Sequence, residues 1–200
     1  HLFATHYEEW RLARWKVFLD SPMAIRTSQI YWDTPELQDA GSMPRLPNLV
    51  LSESAEDSQA INRMTSGAII IAGSGMCEGG RIVHHLKHNL WRQECDVIIV
   101  GYQANGTLGR QLVDGSPTVR IHHETIRVRA RIHTIGGLSA HGDQDDLARW
   151  YSSFAPKPPV YLVHGEPDAA ESLAARLLKE GAPRAVVAER GMRIDFRTLA

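Results

Sequence analysis

Ala68-Ile69-Ile70-Ile71-Ala72 is a short apolar run rich in β-branched residues, followed at once by Gly73-Ser74-Gly75-Met76-Cys77-Glu78-Gly79-Gly80-Arg81. The run reads as a buried strand. The glycines after it let the backbone turn tightly and come close to a ligand. Ile82, Val83, Leu86 and Leu90 then recur at helical spacing. At ~100° per residue they fall on one side of the wheel, with Arg81, His84, His85 and His88 on the other. A strand, a glycine loop and a helix point free backbone N–H groups at an anion. On this pattern alone two readings stand level. One is a phosphate site with a cationic, histidine-rich face beside it; the other is an ordinary βα turn with a polar outer face.

The surrounding chain predicts an α/β fold. Residues 2–15 read as the back half of an amphipathic helix, and 17–19 as a strand. Asp20-Ser21-Pro22 stops that strand and starts a helix to about Trp32, with Pro22 at the first helical position and Asp20 read as its cap. Residues 34–48 read as a loop, 49–51 as a strand and 54–64 as a polar helix capped by Ser52 or Ser54. Residues 96–100 form a second buried strand, and 101–110 another glycine-rich loop opening a helix. Two strand-loop-helix units in tandem predict a parallel sheet with ligand loops at its C-terminal edge. Beyond Asp114 the texture changes: 118–121 and 125–134 read as an antiparallel pair. Arg127, Arg129 and Arg131 share one face of the second strand. Such a row can touch RNA, but the favoured reading is a solvated edge that blocks strand addition. Helices over 143–154 and 167–181 and strands over 160–163 and 185–188 complete the pattern.

His141 and His164 are the candidates for chemistry. Each lies between a strand and a helix, and each is followed by a glycine and an acid, Asp143 and Glu166. Imidazole can ligate zinc or give a proton to a leaving oxygen. Two nearby patterns fail. His84 and His88 lack the glutamate of the zinc-protease helix, since His85 stands there. The glycine loop is one residue too long for a dinucleotide fingerprint, and no acid ends the next strand to hold a ribose.

Bulk composition narrows the classes. A net charge of −1 argues against a non-specific polybasic nucleic-acid binder. No apolar run approaches the ~18 residues of a membrane span, and no secretory leader is visible. Cys77 and Cys95 fit no zinc motif and read as reduced thiols of a cytoplasmic protein. The chain begins in mid-helix pattern, so the expectation is a piece of something longer.

Taken together, residues 19–24, 73–90, 100–109, 135–147 and 161–166 resemble the β-CASP branch of the metallo-β-lactamase superfamily, a group of RNA-processing nucleases. The resemblance implies a two-zinc hydrolase of RNA phosphodiesters. It implies that residues 1–113 are the later part of a parallel-sheet βαβ cap domain. Residues 114–200 would then be the return into an αββα sandwich. It places Ser74, Gly75, Met76, Gly79, Gly80 and Arg81 in a loop facing the RNA backbone, with His84 and Ser139 grouped beside it. His141 matches the residue that contacts the scissile phosphate and is the candidate general acid; His164 matches a zinc ligand. Asp20, Asp143 and Glu166 are supporting residues. The family's His-x-His-x-Asp-His cluster is not in these residues, so the expectation is two Zn²⁺ in the full-length protein, with no tight metal and no activity in this piece alone. The implied partners are RNA and a missing N-terminal metallo-β-lactamase segment of the same chain, with no membrane; a homo-oligomer stays open. Two alternatives remain: a non-catalytic RNA- or phosphate-binding module, and a metallo-hydrolase with another substrate.

Overall fold

The computed structural model describes residues 2–34, 36, 46–138 and 141–195. Most of the predicted 34–48 loop, and Ser139, lie outside them. The chain divides into two compact units, one up to residue 138 and one from 139 on.

The expected helix over 2–15 is broken. One turn, α1 (Leu2–Thr5), gives way to turns and then to a 3-10 turn at Leu12–Arg14. Arg11 takes a left-handed backbone (φ 52°), which no continuous helix accommodates. β1 (Lys16–Leu19) follows, then α2 (Pro22–Asp33), β2 (Leu49–Leu51), α3 (Ala55–Ile61) and β3 (Ala68–Ile71). β1 lies between β2 and β3, and both pairings are parallel, with Val17 opposite Leu49 and Ile69. Helices α2 and α3 supply the long crossovers that parallel pairing needs. α3 starts on a capping box: Ser54 accepts from the Asp57 N–H, and Asp57 accepts from the Ser54 N–H. The cap of α2 is Ser21, which accepts from the Ala24 N–H at 3.3 Å. This corrects the reading of Asp20: with Ser21 doing that work, the carboxylate one residue earlier is released to the interior.

α4 (Gly80–Asn89), β4 (Asp96–Ile99), α5 (Leu108–Val113), β5 (Thr118–Ile121), β6 (Glu124–Arg127) and β7 (Arg131–Thr134) complete the first unit. The single strand expected over 125–134 is two strands in two sheets. β6 pairs antiparallel with β5, and β7 pairs parallel with β4. The switch is made at the C-terminal end of α4, where the Leu90 carbonyl accepts from both the Arg129 and Ala130 N–H groups. That detour puts Ile121 and Ala130 in the same core as Val83, Leu86, Leu90, Ile99 and Leu112. The arginine row is split accordingly: Arg131 makes a two-point pair with Asp96 at 2.7 and 2.8 Å, while Arg127 and Arg129 stay exposed. The α/β class with parallel strands holds, although β3 and β4 hydrogen-bond to different partners, β1 and β7.

The second unit holds α6 (Gln144–Ser152), β8 (Val160–Leu162), α7 (Pro167–Lys179) and β9 (Ala185–Val187). β8 and β9 pair in parallel. Ala148, Tyr151, Leu177 and Ala182 form its core. Among the described residues no helix is long and apolar enough to cross a membrane.

Candidate functional site

The glycine loop 73–80 leaves the end of β3 with Ser74, Gly75, Glu78 and Gly80 exposed. Two inward contacts shape it. Cys77 has a left-handed backbone (φ 59°) and a thiol buried in the core, where burial and then the neighbouring Glu78 push its pKa up, so it stays a neutral thiol. Gly80 sits at φ 68°, and a Cβ there would lie 2.8 Å from the Gly73 carbonyl. That carbonyl accepts from the Ile82 N–H at 3.2 Å, folding the loop over the start of α4. The N-cap is Gly79, so no side chain covers the helix N-terminus. An exposed backbone ahead of a ten-residue helix can offer N–H groups to an oxyanion.

The polar face of α4 is not as the wheel drew it. His85 is buried, with Nε2 2.5 Å from Asp20 Oδ2 and Nδ1 3.0 Å from Asn62 Oδ1. Arg81 turns inward: Nη1 donates to Asp20 Oδ1 and the Ser52 carbonyl, both at 2.6 Å, and Nη2 donates to the Glu53 carbonyl at 2.9 Å. Ser58 Oγ donates to Asp20 Oδ2 at 2.6 Å. Asp20 has no exposed surface. Burial alone would raise its pKa, but the hydrogen bonds from Ser58, His85 and Arg81 outweigh it, and the carboxyl lies below its usual range. A carboxylate at 0% exposure needs such partners, and α4 supplies two of them by aiming Arg81 and His85 beneath the loop. His84 remains outside, its ring 4.9 Å from that of His122. Its pKa is lowered, by burial first and then by His122 and the neighbouring histidines.

The second glycine-rich loop, 101–107, interlocks with the first. The Gly109 N–H donates to the Met76 carbonyl at 3.1 Å, and the Leu108 N–H donates to the Glu78 carboxylate. Gln103 Nε2 lies 2.9 Å from the Gly75 carbonyl. Sequence reasoning missed Gln103 and Ser58, put His85 on the outer face of α4, and saw no role for Glu78 within the loop. The legible signal was Asp20 itself, an acid closing a strand as apolar as Val17-Phe18-Leu19.

The second unit carries the two candidate histidines, both exposed. His141 lies two residues before Asp143. The Asp143 carboxylate caps α6, accepting from the Asp145 and Asp146 N–H groups at 2.8 and 2.9 Å. His164 follows β8 with a left-handed backbone (φ 60°), a strained conformation for a residue with a Cβ. Glu166 is the N-cap residue of α7, without a side-chain cap bond, and Pro167 opens the helix. Ser74, Gly75, Met76, Gly79, Gly80, Arg81 and His84 therefore gather in the first unit, and His141, Asp143, His164 and Glu166 in the second. Among the described residues no three His, Cys, Asp or Glu side chains are grouped to hold a metal ion. These residues do not by themselves fit a zinc centre, which takes about three protein ligands.

Family comparison bears on this geometry. Residues 1–112 match the Beta-Casp domain, and residues 125–188 match the Zn-dependent metallo-hydrolase RNA specificity domain. The chain belongs to the β-CASP family of the metallo-β-lactamase superfamily. It is similar to a ribonuclease of Thermus thermophilus, with 40% identity over 174 residues, covering 82% of this chain and 40% of the relative. It is also similar to the transcription termination factor FttA of Pyrococcus abyssi (37% identity; 60% of this chain, 19% of the relative). An RNase J-like protein of Methanocaldococcus jannaschii is 33% identical, over 72% of this chain and 33% of its own length. The chain thus spans well under half the length of these relatives.

Proposed function

We propose that this chain is part of a zinc-dependent ribonuclease that hydrolyses RNA phosphodiester bonds. The observation that carries the reading is the exposed glycine loop at the end of β3, leading into the uncapped N-terminus of α4. The similarity to the Thermus thermophilus ribonuclease supports RNA as the substrate class. In this reading residues 1–113 are the later part of the cap and 114–200 the return into the αββα sandwich.

The loop's open backbone N–H groups bind an RNA phosphate; that of Cys77 is taken within the loop, donating to the Ser74 carbonyl at 3.1 Å. Arg81 holds the loop from below, its N–H groups engaged by Asp20, Ser52 and Glu53. His84 adds an exposed imidazole on α4, and Ser139 is assigned an RNA contact on the family resemblance alone. His141, on a loop followed by Gly142, gives a proton to the leaving oxygen as the P–O bond breaks. Asp143 steadies that loop by capping α6. His164 would supply one imidazole ligand to zinc in the intact protein, with Glu166 as a supporting residue. The remaining ligands belong to a metallo-β-lactamase segment outside these 200 residues. Cys77 and Cys95 are unpaired thiols, which suits the reducing cytoplasm we assign to it.

The test is metal analysis of the intact protein alongside cleavage of a single-stranded RNA, with and without a chelator. Stoichiometric zinc and chelator-sensitive cleavage are expected. RNA that binds and is never cut leaves the binding-module reading in its place. Cleavage of a non-RNA ester in preference to RNA leaves the other metallo-hydrolase.

A further inference from the structure

Gln103 ties the two glycine loops together. It is buried, and its Nε2 faces three carbonyls: Gly75 and Tyr102 at 2.9 Å and Gly101 at 3.2 Å. Its Oε1 is buried and has no hydrogen-bond partner among the described residues. An apolar side chain of the same reach would carry no such desolvation penalty. What the amide alone can do is hold the Gly75 carbonyl, the point at which it reaches into the first loop. The fit around it is close. A Cβ on Gly109 would stand 1.6 Å from Gln103 Oε1 and 2.7 Å from its Cδ, so only glycine at 109 leaves the amide in place. Met76 is gripped from the same side, its carbonyl by the Gly109 N–H at 3.1 Å and its Sδ by the Ala104 N–H at 3.3 Å.

We propose that Gln103 is a positioning residue for the phosphate-facing loop: by holding the Gly75 carbonyl it sets the plane of the Gly75–Met76 peptide, and Gly109 is the position that leaves it room. A trans peptide is planar, with its C=O and N–H on opposite edges. Anchoring the carbonyl therefore aims the Met76 N–H and fixes the peptides around it. This rests on the reading of the loop as an RNA-phosphate site.

Four variants of the intact protein test it: Gln103→Leu, Gly109→Ala, Gln103→Ser, and the double variant Gln103→Ser/Gly109→Ala. Gln103→Leu should raise KM for a single-stranded RNA about tenfold with kcat within about twofold, since it disturbs binding and leaves the reacting groups alone. Amide hydrogen exchange over residues 74–79 should quicken about tenfold, with residues 83–90 unchanged. Gly109→Ala should reproduce both effects. The double variant should lie within about twofold of Gln103→Ser, because the clash with the amide is gone and only a 3.3 Å approach to the Met76 carbonyl is left. Faster loop exchange with an unchanged KM makes Gln103 merely structural and overturns the proposal, as does unchanged loop exchange. If the wild type binds RNA without cutting it, Kd replaces KM and only the catalytic reading falls. A wild type that neither binds nor cuts RNA overturns both.

Discussion

His141 and His164 differ in what their surroundings allow, and their variants should fail differently. His164 is held at φ 60°, a strain of ~1–3 kcal/mol for a residue with a Cβ, of the kind that gathers at functional sites. In the intact protein His164→Ala should lower zinc content. His141→Ala should keep its zinc and its RNA affinity yet cleave ~10²–10⁴-fold more slowly, the usual loss for a general acid. Elemental analysis beside single-turnover cleavage checks both; equal loss of zinc in the two variants would show the roles to be wrongly divided. Asp20 offers a prediction about stability. Replacing it with Asn leaves Arg81 and His85 without their carboxylate and should destabilise the chain by ~3–5 kcal/mol in urea, as for a broken buried ion pair. Its folded pKa is depressed, so its contribution is present above the ordinary carboxyl value near ~3.9 and is lost as pH falls through the lower folded value. In wild type this contribution shrinks as pH drops below the ordinary carboxyl value, and Asp20→Asn should lack that part of the acid slope. A variant as stable as wild type would mean the network is incidental.

At the scale of the element, the loop and α4 act together. Gly80→Ala puts a Cβ 2.8 Å from a backbone oxygen at φ 68°, so either the loop or the first turn of α4 must shift. A loss of at least ~1 kcal/mol is expected, larger than for an alanine placed in an ordinary glycine turn. Thermal melts check it, and an unchanged melting temperature would contradict the close approach. The same loop should hold a sulfate or phosphate ion against the backbone of residues 74–80 in crystals grown with either salt. An ion seen only at lysine or arginine side chains elsewhere would remove the loop from the site.

For the whole molecule, the relevant facts are the two units and the short span of the relatives covered. No three metal-binding side chains are grouped among the described residues. On the proposed reading a metal would generate the nucleophile, so the 200-residue chain alone should not cleave RNA. Chelator-sensitive cleavage by this chain, abolished by His164→Ala, would overturn its assignment as a partial site.

Much of the local plan was legible because it depends on near neighbours. The apolar run 68–71, the glycines behind it and the Ser21-Pro22 start of α2 each act within a few residues, so the sequence by itself determined those elements and the parallel α/β class. The exposed loop was legible for the same reason. What no periodicity carries is pairing at a distance. Asp20 looked like a cap until α3 and α4 brought Ser58, Arg81 and His85 onto it from 38, 61 and 65 residues away. Residues 125–134 alternate like one strand, and the Leu90 carbonyl, offered by the end of α4, divides them between two sheets. Gln103 had no local signature at all: its importance comes from a carbonyl 28 residues earlier. Tertiary structure decided these points because a buried charge or amide must find its partner wherever the fold provides one.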